Sequence, residues 1–217
     1  MRAPVLYVDS ADVDAVAPLL RDGLVRGVTT NPTILERGGQ RLSDLPALYE
    51  RWTSEGASEV FFQSWGDDSA ELLANARHLL ALGDRVSVKV PATRAGFAAT
   101  PVLVDEGAEV LVTAVYSAAQ ALAAASLGAR YIAPYLGRLN DAGVDGAALI
   151  ERMQGVCVGS GTDVLAASLR SPDDLVTLRE AGVSYFTAAP AVLDAVFHDD
   201  TSDRSAAEFA AAISRLR

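Results

Sequence analysis

Disulfides are the first thing this chain lacks, for its 217 residues contain a single cysteine, Cys157. No intrachain bridge can form, and a lone thiol fits a reducing compartment. Cys157 reads as a small core residue. Aromatics are sparse at 6%, while half the residues are hydrophobic, most of them Ala, Val and Leu. Side chains of that size suit close packing of helices on strands. Basic residues are outnumbered, 18 Lys and Arg against 28 Asp and Glu, for a net charge of −10. A field of that sign excludes nucleic acid and anionic membrane as general partners, although a local arginine cluster can still hold a small anion. No apolar run approaches the ~20 residues that span a bilayer. No signal-peptide pattern precedes Tyr7, so the expectation is a cytoplasmic protein. There are two histidines, His78 and His198, neither with another His or Cys at ligand spacing, so no metal site is expected.

What is present is a recurring unit. Gly56-Ala57 precedes an apolar run Val60 to Gln63, and Gly107-Ala108 precedes Glu109 to Thr113. Gly128-Ala129 precedes Tyr131 to Ala133, and Gly182-Val183 precedes Tyr185 to Thr187. Each glycine follows a segment with helical spacing, where a left-handed residue lets the chain turn into a strand. Helices are predicted over 69–82, 94–106, 117–127, 145–154 and 172–181, with Ser171 as cap and Pro172 in the first helical position. Earlier, Val13, Val16, Ala17 and Leu20 share a helical face that Pro18 makes weaker. Asn31-Pro32 reads as a turn, and Ser43 as a possible cap for the helix carrying Leu45, Leu48, Tyr49 and Trp52.

About eight strands alternating with helices predict an α/β protein, a single (β/α)8 TIM barrel domain over 1–217. An open doubly wound sheet is the competing arrangement. After a helix at 191–197, Thr201-Ser202-Asp203 reads as a linker. Phe209, Ala212, Ile213 and Leu216 then form an apolar stripe on an extra C-terminal helix, 203–217. That stripe can pack on a neighbouring subunit or fold back on its own barrel.

Chemistry in a barrel gathers at the carboxyl ends of the strands. Val86, Val88 and Val90 alternate with Ser87 and Lys89 just before Pro91-Ala92-Thr93. If helices cover the valine face, Lys89 points into the lumen, where burial lowers its pKa and makes it a nucleophile. Arg138 nearby is expected to push it lower still. The other strand ends supply Asp9, Thr29 with Asn31, Gln63, Thr113, Tyr135 with Arg138, and Ser168 with Arg170. Taken singly, Asp9 could cap a helix, Asn31 could start a turn and Thr113 could satisfy a carbonyl. Taken together they suggest a nucleophile, a carboxylate and an anion clamp. Gly159-Ser160-Gly161-Thr162 looks like a phosphate loop but leads into a strand, and reads as a connector.

Five stretches in order resemble the small transaldolase and fructose-6-phosphate aldolase family. They are Gly27-Val28-Thr29-Thr30-Asn31-Pro32, Val88-Lys89-Val90-Pro91, Thr113-Ala114-Val115-Tyr116-Ser117-Ala118-Ala119-Gln120, Ala133-Pro134-Tyr135-Leu136-Gly137-Arg138 and Leu165-Ala166-Ala167-Ser168-Leu169-Arg170. The resemblance implies a barrel with a Schiff-base lysine, Lys89, and neither metal nor other cofactor. It gives Asp9 a proton-transfer role, with Gln63, Thr113 and Tyr135 positioning a water. Thr29, Asn31, Leu111, Arg138, Ser168 and Arg170 become the substrate-facing positions. Transaldolases of the family typically have Glu at Gln63, Asn at Leu111 and Phe at Tyr135, so these three positions fall on the aldolase side. Leu136-Gly137-Arg138-Leu139 is closer to the transaldolase version of its loop.

The implied activity is cleavage of fructose 6-phosphate through a dihydroxyacetone adduct. Its alternative is transfer of that unit to erythrose 4-phosphate in the pentose phosphate pathway. A barrel that only binds phosphate, with Lys89 paired to Asp9, is a third possibility. The expected partners are sugar phosphates with small ketones and aldehydes, and other copies of the chain in a pentamer or decamer.

Overall fold

A computed structural model describes residues 2–217. Eight strands run parallel and close on one another in sequence order, because the first pairs with the eighth. They are β1 Val5–Asp9, β2 Gly27–Thr29, β3 Glu59–Gln63, β4 Val86–Pro91, β5 Val110–Val115, β6 Tyr131–Pro134, β7 Asp163–Leu169 and β8 Tyr185–Ala188. The helices between them are α1 Val13–Arg21, α2 Pro32–Arg37, α3 Leu45–Ser54, α4 Ser69–Leu80, α5 Arg94–Asp105, α6 Ala118–Ser126, α7 Leu136–Asp141, α8 Gly146–Cys157 and α9 Pro172–Glu180. Two more, α10 Pro190–Phe197 and α11 Asp200–Arg215, follow β8. The fold is therefore a (β/α)8 barrel with an extra C-terminal helix, and the open sheet is excluded by the β1–β8 pairing. Among the described residues no helix is long and apolar enough to cross a membrane.

Strand alternation divides the core in two. Val8, Val28, Val60, Val86, Val88, Val90, Val110, Val112 and Ile132 face outward and pack with the helices. Tyr7, Phe61, Leu111, Tyr131, Leu165 and Tyr185 fill the lumen. Val88 and Val90 are fully buried, and each side chain of this size contributes about 1.5–3 kcal/mol relative to exposure. The residues that alternate with the valines of β4 must point inward, which settles the orientation of Ser87 and Lys89. Low in the lumen, Glu59 accepts hydrogen bonds from Tyr7 at 2.6 Å and Ser87 at 2.6 Å. A buried carboxylate needs such partners.

The four glycines of the repeat have positive φ, +116° at Gly56, +85° at Gly107, +79° at Gly128 and +94° at Gly182. Each sits where the chain leaves a helix for the next strand, as the spacing predicts. Several local expectations need correction. Pro18 lies inside α1 without breaking it. Ser43 is not a cap, because a 3-10 turn at Leu42–Asp44 leads directly into α3, with Asp44 at the cap position. Asn31-Pro32 is the start of α2, not a free turn: Asn31 accepts from the Ile34 N–H and Pro32 opens the helix. The segment 201–203 is the first turn of α11, since Asp199 accepts from the Thr201 and Ser202 N–H groups and caps it. The α11 stripe does not fold back: Phe209, Ile213 and Leu216 remain exposed on their own chain. Cys157 is buried in the core, where desolvation raises its thiol pKa to about 11.

Candidate active site

A cavity of about 190 Å³ opens at the carboxyl ends of the strands, with Lys89 inside it. Lys89 is 4% exposed, and its Nζ donates to the Thr30 carbonyl at 2.8 Å. Burial lowers its pKa, and the Asp9 carboxylate opposes that shift. The cause is thus desolvation alone; Arg138, expected to assist, is not among the groups that move it. Asp9, at the end of β1, has its pKa raised by burial, against the pull of Lys89 and Thr29. Thr29 Oγ1 donates to Asp9 at 2.6 Å and lies 2.6 Å from Thr187 Oγ1. A hydroxyl has one proton, so with Asp9 ionised Thr187 must donate to Thr29. The lysine consequently shares its pocket with a carboxylate held at the end of a Thr187–Thr29–Asp9 chain.

The opposite wall carries Tyr135, whose hydroxyl lies 2.8 Å from Thr113 Oγ1 and whose pKa burial raises. The Arg138 guanidinium lies 4.8 Å from the Tyr135 ring centroid, and its Nη1 is 3.5 Å from the Tyr116 hydroxyl. Arg138, Ser168, Leu111 and Asn31 all line the Lys89 cavity. Thr113 and Thr29 stand behind it, hydrogen-bonded to Tyr135 and Asp9 respectively.

Two residues on the strands of this wall have unusual backbone. Ser168 has φ +57° and Ala114 has φ +58°, and each lies at a register irregularity, on β7 and β5 respectively. A left-handed non-glycine residue costs roughly 1–2 kcal/mol. Here the irregularity redirects the ends of both strands, bringing Ser168 to the cavity. Gly137 packs against the same place: a Cβ there would lie 2.7 Å from the Ser168 carbonyl oxygen and 2.7 Å from Arg170 Nε. Only glycine allows α7 to approach so closely.

Two expected residues stand elsewhere. Gln63 is in register with Lys89 on the adjoining strand, yet it lines a neighbouring cleft of about 530 Å³ beside Trp65 and Phe62. Arg170 does not line the Lys89 cavity; both its terminal nitrogens bind Asp141, at 2.8 and 2.5 Å. That bidentate pair is largely exposed, and Arg170 holds the Asp141 carboxyl below its usual range. In contrast, Thr33 and Arg37 on α2 and Thr187 on β8 line the cavity, and sequence reading had assigned them nothing. Thr187 was legible from alternation with the lumen residue Tyr185. Thr33 and Arg37 were hidden by reading Asn31-Pro32 as a turn.

A buried lysine at the top of a closed (β/α)8 barrel, with a carboxylate across the lumen, is the arrangement of a Schiff-base enzyme. The family model described as Transaldolase/Fructose-6-phosphate aldolase matches residues 6–216. A protein called "Probable transaldolase" from Ruegeria sp. (strain TM1040) is 36% identical over 209 residues, covering 95% of each chain. Another so called, from Cereibacter sphaeroides (strain KD131), is 38% identical over 200 residues, 91% of this chain and 90% of its own. The chain belongs to the transaldolase/fructose-6-phosphate aldolase family and is an enzyme of the Schiff-base aldolase or transaldolase type. Among solved structures, a thiamine phosphate pyrophosphorylase from Pyrococcus furiosus superposes with a TM-score of 0.62 at 18% identity, covering 88% of this chain and 89% of its own. At that identity the likeness is one of fold.

Proposed function

We propose that the protein is a class I aldolase that forms a Schiff base between Lys89 and dihydroxyacetone-type donors and cleaves or makes the C3–C4 bond of fructose 6-phosphate. The observation that carries this reading is the buried Lys89 amine, its pKa lowered, opposite Asp9 in a polar cavity. A neutral amine attacks the ketose carbonyl, and loss of water leaves an iminium ion. The iminium accepts the bonding electrons when the C4 hydroxyl loses its proton, and Asp9 takes part in that transfer. Glyceraldehyde 3-phosphate leaves, with its phosphate toward Arg138 and Ser168. Asn31 and Ser168 contact the hydroxyls of the remaining fragment, which water then releases. The Tyr135–Thr113 pair supports water as acceptor, because a neutral hydroxyl can hold a water beside the imine without adding charge. Gln63 reaches that water only by turning from the cleft it lines.

A second reading, transfer of the fragment to erythrose 4-phosphate, is favoured by the relatives called "Probable transaldolase". Fructose 6-phosphate with and without erythrose 4-phosphate separates the two. Steady glyceraldehyde 3-phosphate release without acceptor means aldolase, and release only with it means transaldolase. Lys89→Met should lose turnover and borohydride trapping by dihydroxyacetone; trapping that persists overturns both. Lys89→Arg should fail as well, since a guanidinium forms no imine. Assembly into a pentamer or decamer in the cytoplasm is part of the same proposal, with α11 seated on a neighbouring copy.

A further inference from the structure

Closure of the barrel by β8 does more than complete the sheet. Asp9 and Thr29 are register partners on β1 and β2. Thr187 on β8 is the partner of Tyr7, one inward-facing residue before Asp9. Thr29 and Thr187 therefore reach toward one another across β1, from positions 158 residues apart, and their hydroxyl oxygens meet at 2.6 Å. Both threonines are buried. Asp9 Oδ1 accepts from Thr29 at 2.6 Å, and among the described residues no second protein donor binds this carboxylate.

That arrangement fixes the order of the protons. The single proton of Thr29 goes to the carboxylate, so Thr187 gives its own to Thr29. A hydroxyl that itself receives a hydrogen bond is polarised and donates more strongly. Oδ2 is left without a protein partner on the cavity that Asp9 and Thr187 both line. We propose that Thr187 is a positioning residue: by donating to Thr29 it strengthens the Thr29 bond to Asp9 Oδ1, keeping the carboxylate ionised and leaving Oδ2 to take the substrate's proton. In that step the C4 hydroxyl O–H bond breaks, the proton goes to Oδ2, and the C3–C4 electron pair moves to the iminium. The role rests on the Schiff-base reading, whereas the hydroxyl chain is a property of the barrel itself.

Infrared titration and kinetics together test it. Burial holds the Asp9 pKa up and the Thr29 bond pulls it down, so losing the Thr187 hydroxyl should raise it further. Lys89, Tyr135, Arg37 and Arg138 line the cavity with Asp9, and Asp12 lines a separate cleft that Asp9 also borders; the variants alter none of them. Thr187→Val keeps the shape of the side chain and removes the donor itself, so it strands no proton. In this variant the protonated-carboxyl infrared band that Asp9→Asn eliminates should titrate higher by roughly half a pH unit. Below that midpoint, glyceraldehyde 3-phosphate release from fructose 6-phosphate, with erythrose 4-phosphate supplied, should fall about threefold. Borohydride trapping of dihydroxyacetone above the midpoint should be unchanged, and Thr187→Ser should restore both midpoint and rate. Added to Thr29→Val, Thr187→Val should have no further effect, because the chain is already broken. An unmoved or lowered midpoint in Thr187→Val overturns the proposal. So does a shift that Thr187→Ser fails to reverse, or one that recurs in the Thr29→Val background. Failure of the wild-type chain to trap dihydroxyacetone strikes the Schiff-base reading, and the role of Thr187 in proton transfer falls with it, whatever the midpoint shows.

Discussion

Lys89 Nζ reaches from β4 across β3 to donate to the carbonyl of Thr30, 2.8 Å away at the end of β2. One backbone acceptor and the Asp9 charge are what the amine receives in return for its burial. The carbonyl can accept from either protonation state; Asp9 favours only the ammonium.

That asymmetry makes a pH prediction. Burial lowers the Lys89 pKa and Asp9 opposes it, so Asp9→Asn should lower it further. The fraction of neutral amine then rises at a given pH. The rising limb of the pH–trapping curve with dihydroxyacetone should move to lower pH in Asp9→Asn, while carbon–carbon cleavage slows. A limb that moves to higher pH would contradict the assignment.

The Tyr135 hydroxyl and Thr113 share a buried hydrogen bond. Tyr135→Phe leaves Thr113 without that partner, at a cost of roughly 1–3 kcal/mol. On the proposed mechanism it also removes a site for water beside the imine. Glyceraldehyde 3-phosphate release without acceptor should fall more steeply than release with erythrose 4-phosphate, as paired assays on one preparation can measure.

Backbone strain at Ser168 gives a contrast between two substitutions. Ser168→Gly relieves the penalty of φ +57° but adds freedom to the unfolded chain, so stability should change by less than about 1 kcal/mol. Ser168→Val keeps the strain and adds a branched side chain, and should lose more than about 1–2 kcal/mol. Both lose the hydroxyl at the cavity and should raise KM for phosphorylated substrate. Denaturant unfolding and steady-state kinetics separate the two effects.

The exposed stripe on α11 should matter to assembly more than to the barrel. Phe209, Ile213 and Leu216 are 69%, 53% and 81% exposed in the single chain. Removing residues from Ser205 onward should lower the solution mass to that of smaller assemblies, with the barrel still folded by circular dichroism. An unchanged oligomer would take α11 out of the interface.

Strand and helix order followed from local pattern alone. Valines alternating with Ser87 and Lys89, and a glycine before each strand, are consequences of side-chain periodicity and of φ, both properties of neighbouring residues. The lysine, Asp9 and the strand-end threonines were legible for the same reason, since position along a strand fixes which end a residue occupies. Closure by β1 against β8 was not local, and it alone turned a covered sheet into a lumen. Side-chain direction beyond the strand ends was out of reach. Arg170 turns to Asp141, Gln63 lines the neighbouring cleft, and Arg37 enters the site because a helix starts at Asn31 where the sequence suggested only a turn. Sequence determined which groups stand at the barrel's mouth; tertiary packing and charge pairing decided which of them face Lys89.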